Sequence, residues 1–211
     1  MRVPQFALEQ GETLLLLGSS GSGKSTLLSL ICGIVAPQAG HVALMGQDLA
    51  RLRPAARDRL RAERIGIIFQ MFNLLPYASG LDNILLPLRF APARRARCPD
   101  PRAEALRLAG ALGISKDLMT ATPASRLSVG QQQRVAVARA LIGSPPLIVA
   151  DEPSSSLDRD AQAGFLDLLF TQIRAAGATL LMVSHDRSLA PRFGRAVDLS
   201  DIARTERGQP T

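Results

Sequence analysis

A glycine-rich loop close to the beginning of the chain limits its fold more than any other stretch. Residues 18–26 read GSSGSGKST and follow the apolar run ETLLLL, whose length and flanks predict a buried strand. Residues 24–34 then predict a helix. The loop fits the pattern G-x-x-x-x-G-K-[ST] in the strand–loop–helix setting that this pattern requires, so it predicts a phosphate-binding turn.

The residue types in this loop explain how it would hold a nucleotide. Its glycines let the backbone curl and direct amides at phosphate oxygens, and the helix start adds the positive end of its dipole. Lys24 supplies a point charge for the β and γ phosphates, and the Ser25 hydroxyl is placed to ligate Mg²⁺. The predicted nucleotide-binding residues are Gly18, Ser19, Ser20, Gly21, Ser22, Gly23, Lys24, Ser25 and Thr26.

Apolar strands and helices alternate along the rest of the chain. This alternation predicts an α/β fold with a mainly parallel sheet. The predicted strands are 12–17, 41–45, 65–69, 147–150 and 179–183, and the predicted helices are 24–34, 54–64, 129–142 and 159–175. Residues 71–125 have a different texture, rich in Pro, Ala and Arg, and predict a helical and looped insertion between strands.

Polar side chains follow three of the predicted strands. Asp151 and Glu152 end LIVADE, at the carboxyl edge where open α/β sheets bind ligands. Asp151 is suited to hold Mg²⁺, and Glu152 could accept a proton from an attacking water. His185 and Gln70 close two other strands, so His185 could reach a γ phosphate and Gln70 could ligate a metal or water.

A second helix start also suits an anion. Residues 126–141 read RLSVGQQQRVAVARAL, in which Ser128 is a natural helix cap and the free backbone amides after it could face a phosphate. The residues alone do not explain why one chain needs two such starts, about a hundred residues apart.

The composition limits the kinds of molecule that the chain is expected to bind. The net charge is +7, and only Lys24 and Lys116 among the 25 basic residues are lysines. The arginine-rich stretches 51–64 and 89–102 contain almost no aromatic residues to stack on bases, so no nucleic acid is expected. An anionic membrane surface is the favoured neighbour for these basic segments.

Neither a membrane span nor an export signal is expected. The chain contains no run of about 18 apolar residues, and its start, MRVPQFALEQGE, lacks the apolar segment of a signal peptide. We therefore expect the chain in the cytoplasm. Cys32 and Cys98 match no zinc or disulfide spacing and are expected to be reduced thiols.

The order of these motifs resembles the ATP-binding cassette (ABC) family over nearly the whole chain. GSSGSGKST matches the Walker A loop, Gln70 the Q-loop, LSVGQ the signature, LIVADE Walker B, SSLD the D-loop and His185 the switch histidine. The resemblance implies a single nucleotide-binding domain, residues 1–211, with a P-loop NTPase core. That core would comprise residues 1–70 and 143–211, with a helical signature subdomain at 71–142 and a shortened N-terminal antiparallel β part.

The same resemblance explains the second helix start. It implies that two copies pack head to tail, with ATP between the Walker A loop of one and the signature of the other. Glu152 would be the general base, with Lys24 and Mg²⁺ stabilising the phosphoryl charge and His185 orienting the γ phosphate, while Asp158 couples the two sites. The implied metal ligands are Ser25, Gln70 and Asp151, and the residues contacting the partner's nucleotide are Ser128, Val129, Gly130 and Gln131.

Residues 65–88, IGIIFQMFNLLPYASGLDNILLPL, resemble the lipoprotein-release and macrolide-export (LolD and MacB) type of cassette. That type implies a homodimeric ATPase, peripheral on the cytoplasmic face of the bacterial inner membrane. It would drive export or extraction through a separate permease with few transmembrane helices. Apolar residues around Pro76 are either a docking surface for that permease or core of the subdomain; they are Phe72, Leu74, Leu75 and Leu81.

Two positions depart from the family pattern. Val129 stands where the signature usually has a glycine, and we expect only a modest effect because Gly130 is kept. Family members also carry an aromatic residue before the first core strand that stacks on adenine. Phe6 lies in the wrong register for this role, so either the start is misassigned or adenine is held more weakly.

Three other functions stay open. One is a soluble ABC ATPase acting on nucleic acid or ribosomes, although the chain has no long coiled-coil interval, no second cassette and no zinc cysteines. Another is a regulatory cassette that transports nothing. The last is an inactive remnant, against which the intact Lys24, Asp151, Glu152 and His185 argue.

Overall fold

The computed structural model describes residues 1–155 and 157–204, in which strands and helices alternate. The strands are β1 (Thr13–Leu17), β2 (Ala43–Leu44), β3 (Gln47–Asp48), β4 (Ile65–Ile68), β5 (Leu147–Asp151), β6 (Thr179–Ser184) and β7 (Arg195–Asp198). The helices are α1 (Lys24–Ile31), α2 (Pro54–Arg64), α3 (Gly80–Leu85), α4 (Pro92–Ala96), α5 (Pro101–Ala111), α6 (Lys116–Ala121), α7 (Val129–Leu141), α8 (Arg159–Ala176) and α9 (Leu199–Ile202). None of the helices in these ranges combines the length and the apolar character needed to cross a membrane.

The main sheet has the strand order β4-β5-β6-β1-β7, and every pair in it is parallel. The predicted α/β fold with a mainly parallel sheet is therefore confirmed. Because parallel strands end at the same edge, the segments after β1, β5 and β6 are brought together. Leu17 pairs with Ser184 and Asp151 with Val183, so the Gly-rich loop, Glu152 and His185 leave the sheet as neighbours.

A small antiparallel hairpin, β2–β3, lies outside the main sheet. Its two-residue turn, Met45–Gly46, has φ values of +50° and +78°, the left-handed pair that a tight hairpin needs. The predicted strand at 41–45 is wrong in extent, because only Ala43–Leu44 pairs. His41 lies before the strand and is exposed.

The sheet separates two apolar clusters. Leu15 and Leu17 of β1 face one cluster and Leu14 and Leu16 face the other, as the alternation of a strand requires. The first cluster continues from the sheet into helices α3, α5, α6 and α7 without a break. The predicted division of the chain at residues 70 and 142 therefore stays a prediction.

Helix α7 lies directly against β4. A Cβ on Gly66 would come within 2.1 Å of the Ala140 carbonyl oxygen, so only glycine allows this approach. The buried guanidinium of Arg94 adds a clamp, since it donates to the carbonyls of Ile142, Ala140, Ala62 and Ile65. Burial lowers the pKa of Arg94 to about 10, with nearby Arg97 lowering it further and Glu63 opposing both. These contacts fix the end of α7 to the sheet.

Helix α1 is shorter than predicted. It ends at Ile31 instead of Ile34 because Gly33 adopts φ +64°. The amides of Gly33 and Ile34 then bond back to the carbonyls of Leu30 and Ser29, which is the hydrogen-bond pattern of a Schellman end. Strand β7 was not predicted at all, although it pairs with β1 along its length.

Candidate nucleotide site

A cleft of about 660 Å³ opens at the carboxyl edge of the sheet. It brings together most of the predicted nucleotide, metal and catalytic residues. Its lining consists of Ser19, Ser20, Gly21, Gly23, Lys24, Ser25, Thr26, Gln70, Asp151, Glu152 and His185. Among the described residues, the signature turn at 128–131 and Asp158 do not contribute to this lining.

The loop before α1 has the backbone that phosphate binding requires. Gly21 and Gly23 adopt φ values of +74° and +102°, and α1 starts at Lys24 with no side-chain cap on its first amides. The Ser22 hydroxyl is buried without a hydrogen-bond partner in the described part of the chain. A buried hydroxyl without a partner is costly, so the loop fits a phosphate group that would accept from these donors.

Lys24 lies inside the loop, with only 6% of its surface exposed. Its Nζ donates to the carbonyl oxygens of Gly18 at 2.7 Å and Ser19 at 2.8 Å, and lies 3.4 Å from Glu152 Oε1. These neighbours hold the ammonium group beside the cleft. A phosphate oxygen entering the cleft would compete with the Glu152 carboxylate for this charge.

Glu152 contacts both of the other predicted catalytic side chains, Lys24 and His185. Its second carboxylate oxygen, Oε2, lies 3.0 Å from His185 Nδ1. Its backbone adopts φ +44°, a left-handed conformation that is strained for a residue with a side chain. The Glu152 amide nevertheless bonds to the Val183 carbonyl at 3.0 Å, so the strained residue is fixed to the edge of β6.

Three oxygen-bearing side chains in the cleft fit a magnesium ion. The Ser25 hydroxyl lies 3.4 Å from Asp151 Oδ2, and the Gln70 amide belongs to the same lining. Hydroxyl, carboxylate and amide oxygens are the hard ligands that Mg²⁺ takes. Burial raises the pKa of Asp151, and the charge of Glu152 raises it further, against the Ser25 hydrogen bond and Lys24. A cation at this place would relieve that unfavourable burial of charge.

We expect Asp151→Asn to raise the stability of the metal-free protein while it removes magnesium-dependent activity. The folded-state pKa of Asp151 lies above its unfolded value, so the native protein holds this proton more tightly. Its contribution to the free energy of unfolding therefore falls as the pH rises through the raised pKa. In EDTA at pH 7, the melting temperature of the variant should exceed that of wild type by roughly a few degrees. The difference should shrink at acidic pH. An unchanged or lower melting temperature at pH 7 would contradict this.

The signature turn forms a complete capping box at the start of α7. The Ser128 hydroxyl accepts from the Gln131 amide at 3.3 Å, and the Ser128 amide donates to Gln131 Oε1 at 2.9 Å. Val129 is 54% exposed. In the described residues, the Val129 and Gly130 amides donate no hydrogen bond. These two donors are available to a ligand outside the chain's own cleft.

Asp158 caps helix α8, accepting a hydrogen bond from the Ala161 amide at 2.8 Å. A capping aspartate is a sufficient structural reason for this residue, so its predicted role in coupling two sites stays a prediction. Ser156, inside the SSLD motif, lies outside the described residues.

Residues around Pro76 divide differently from the predicted docking surface. Phe72 and Leu81 are buried, at 8% and 3% exposure, and belong to the first apolar cluster, so for these two residues the alternative of subdomain core holds. Met71 and Tyr77 are the exposed ones, at 81% and 79%. The left-handed backbone of Phe72 turns its side chain inward, which an apolar pattern cannot reveal.

The structure places several other residues in surroundings that the sequence did not predict. Phe6 packs against the second apolar cluster and is not in the lining of the cleft. Gln133 and Arg139 of α7 are buried, and they donate to backbone carbonyls next to the cleft. A polar residue inside a helix is usually read as solvent-facing, so neither was singled out.

Comparisons with known proteins agree with this geometry. The sequence profile of the ABC transporter family matches residues 2–155. The uncharacterized ABC transporter ATP-binding protein YbbA of Escherichia coli (strain K12) is 43% identical over 195 residues, covering 92% of this chain and 83% of that protein. The lipoprotein-releasing system ATP-binding protein LolD 1 of Caulobacter vibrioides is 42% identical over 196 residues, covering 93% and 82%.

Solved structures give the same result. A dimeric structure of the ATP-binding cassette MJ0796, in a post-hydrolysis state bound to ADP and Pi, matches with a TM-score of 0.79 and 33% identity. The match covers 92% of this chain and 83% of that one, and a second dimeric structure of MJ0796, a bacterial ABC transporter cassette, gives the same values. With its parallel sheet, its phosphate loop and its acidic strand end, the chain belongs to the ABC transporter family, as an ATP-binding cassette with ATPase activity.

Proposed function

We propose that this chain is the ATPase subunit of a bacterial export or extraction system, working as a homodimer on a separate membrane permease. One observation carries the proposal: the chain has two phosphate-facing helix starts, and only one of them lines its own cleft. The second, at Ser128, keeps two unbonded amides for a ligand held by another molecule. A second copy of the chain is the simplest source of that ligand, since its own cleft would carry the nucleotide.

Within one cleft, each charged group has a role that its position supports. Lys24 neutralises the phosphoryl charge, and the loop amides fix the phosphates. Glu152 accepts the proton of the attacking water, and His185, 3.0 Å from its carboxylate, holds the carboxylate and orients the γ phosphate. Ser25, Asp151 and Gln70 would hold Mg²⁺, which supplies charge neutralisation between the phosphates.

Across the dimer, the signature turn completes the site. The amides of Val129 and Gly130, with the Ser128 hydroxyl and Gln131, would contact the γ phosphate held by the partner. ATP then binds the closed dimer more tightly than the open one, and hydrolysis removes that preference. The MJ0796 cassette is a dimer in both of its matched structures, which supports this arrangement. Asp158, at the start of α8, would couple the two sites.

Mixing two inactive variants tests the two-chain site. Lys24→Ala destroys the phosphate loop, and Ser128→Arg blocks the signature turn, so each homodimer should be inactive. A mixed dimer pairs one intact loop with one intact signature. If the sites work independently, a 1:1 mixture should recover about a quarter of wild-type turnover, because half of the dimers are mixed and each has one site. No recovery from variants that still dimerise would place the whole site within one chain.

The partner in the membrane is proposed from a relative and from the surface of the chain. The relative LolD 1 is named for a lipoprotein-releasing system. Met71 directly follows Gln70 of the cleft lining, and Tyr77 lies in the same loop before α3; both are large exposed apolar side chains. Exposed apolar surface of this kind can form an interaction site. We assign the permease contact to these residues; with such a partner, the chain would lie on the cytoplasmic face of the inner membrane.

A charge on this surface should prevent docking without stopping hydrolysis. We expect Tyr77→Glu to reduce recovery of the membrane partner by roughly tenfold or more after gentle solubilisation, since aromatic anchors dominate interfaces. Basal ATPase activity should stay near wild type. Ile34→Glu is the matched control, because Ile34 is 52% exposed and lies three residues after the end of α1. Equal recovery by both variants would exclude this surface, and co-purified ribosomes or DNA would overturn the export reading.

A further inference from the structure

Helix α7 buries two polar side chains among its apolar ones. Gln133 is 2% exposed and Arg139 is 8% exposed, in a helix whose other buried residues are valines, alanines and a leucine. Burying an amide or a guanidinium group is unfavourable unless its donors are hydrogen-bonded. Both side chains have such bonds, and the position of their acceptors gives them a function.

The acceptors are backbone carbonyls beside the catalytic residues. Gln133 Nε2 donates to the carbonyl of Pro153, which directly follows Glu152. Arg139 donates through its two terminal nitrogens to the carbonyls of Phe72 and Asn73, two and three residues after Gln70. Neither side chain lines the cleft formed by the described residues. Their influence on the site must therefore pass through the backbone.

Both turns held in this way are strained. Five non-glycine residues of the described chain have positive φ, and three of them lie in these two turns. They are Phe72 at +57°, Asn73 at +48° and Glu152 at +44°. Left-handed conformations of this kind persist only where the surrounding structure imposes them. The bonds from Gln133 and Arg139 supply part of that constraint.

The same helix begins at the signature turn. From Ser128 it continues for 13 residues, a rod of about 20 Å. Its far end lies on β4 with no room for a side chain on Gly66, so a displacement of the helix cannot be absorbed locally. Helix α7 thus forms a continuous physical connection from the signature turn to the carbonyls of Pro153, Phe72 and Asn73.

We propose that Gln133 and Arg139 are positioning residues that fix Glu152 and Gln70 and tie both to the turn that reaches the partner's ATP. The second half of this statement rests on the proposed two-chain site; the first half does not. In consequence, the nucleotide bound by one copy sets the catalytic geometry in the other copy through α7. Neither residue touches nucleotide, so removing one should impair turnover more than binding.

Neighbouring residues of α7 provide matched controls. Gln132 also donates its side-chain amide to a carbonyl, that of Leu127 at 2.9 Å, and not to the turns that follow Glu152 and Gln70. We therefore compare Gln133→Met with Gln132→Met, and Arg139→Met with Arg134→Met. The two test variants should lose about ten- to hundredfold in kcat, the usual effect of misplacing a catalytic group. ATP affinity measured by direct binding should change by less than about twofold, because the phosphate loop is untouched.

Double variants separate positioning from general destabilisation. If Gln133 acts through Glu152, then adding Gln133→Met to Glu152→Gln should lower the residual kcat by no more than about twofold. Arg139→Met should likewise add little to Gln70→Ala. Arg139→Lys, which keeps the charge but has one donor group, should show an intermediate loss and tests the role if the methionine variant does not fold.

Two results would overturn the proposal: kcat within twofold of the controls, or losses that add in full to Glu152→Gln and Gln70→Ala. The two-chain site has its own test. Recovery in the Lys24→Ala and Ser128→Arg mixture together with fully additive losses would refute only the positioning role. Failure of that mixture together with non-additive losses would refute the link to the partner's ATP and keep the positioning of Glu152 and Gln70.

Discussion

Glu152→Gln should lower the ATP turnover number on the order of 10²- to 10⁴-fold, the usual contribution of a general base. The amide keeps the size of the carboxylate but cannot accept the proton of the attacking water. It also removes the charge between Lys24 Nζ, at 3.4 Å, and His185 Nδ1, at 3.0 Å. Because that charge repels phosphate oxygens, ATP binding should persist or tighten, and ATP should trap a dimer.

Steady-state hydrolysis and size-exclusion chromatography with ATP measure the two parts of this expectation. Glu104→Gln is the control, since it removes a carboxylate that pairs with Arg107 on the surface of α5. The control should hydrolyse ATP like wild type and should show the same oligomeric state as wild type. Full ATPase activity in Glu152→Gln would remove Glu152 from the role of base.

Lys24→Ala should weaken ATP binding on the order of 10²- to 10³-fold, as expected when one partner of a buried charge pair is removed. Lys24 is 6% exposed, and its ammonium group lies among the carbonyls of Gly18 and Ser19 and the Glu152 carboxylate. Its loss also leaves His185 as the one remaining ion-pair partner of the Glu152 carboxylate among the described residues. Turnover should fall below detection together with binding.

Isothermal titration of ATP measures this effect directly. Lys116→Ala is a well-matched control, because Lys116 is the only other lysine of the chain and is exposed at the start of α6. ATP affinity close to wild type in Lys24→Ala, with a normal melting temperature, would show that the loop binds phosphate without this charge.

Local patterns predicted the fold well wherever a signal was confined to neighbouring residues. The strand–loop–helix around Lys24 and the apolar run before Asp151 carry their geometry in their own sequence, because glycine conformations and strand ends are local properties. Parallel pairing then placed Glu152 beside His185. The edge strand β7 was missed because RAVD is too short and too polar to stand out before its neighbour β1 is known.

Features that depend on the tertiary environment could not be predicted in the same way. Helix α7 is buried on nearly every side. The spacing of its apolar residues therefore did not reveal that Gln133 and Arg139 are buried and do not face solvent. Phe72 has a left-handed backbone and is buried while Met71 is exposed, so the apolar pattern alone could not decide between docking surface and core. The left-handed Glu152 is held by a bond from its amide to Val183 on another strand, a contact far away in sequence that the local pattern does not contain.

The two native cysteines should react little with thiol-labelling reagents. Burial raises the pKa of Cys32 to about 12 and also raises the pKa of the buried Cys98, so both thiols react slowly with alkylating reagents. A single thiol introduced by Val129→Cys, at a position 54% exposed in the wild type, would therefore be the fast-reacting group. Its alkylation rate would report the opening and closing of the proposed dimer in real time. Val129 is the one native residue that has to be replaced for this measurement.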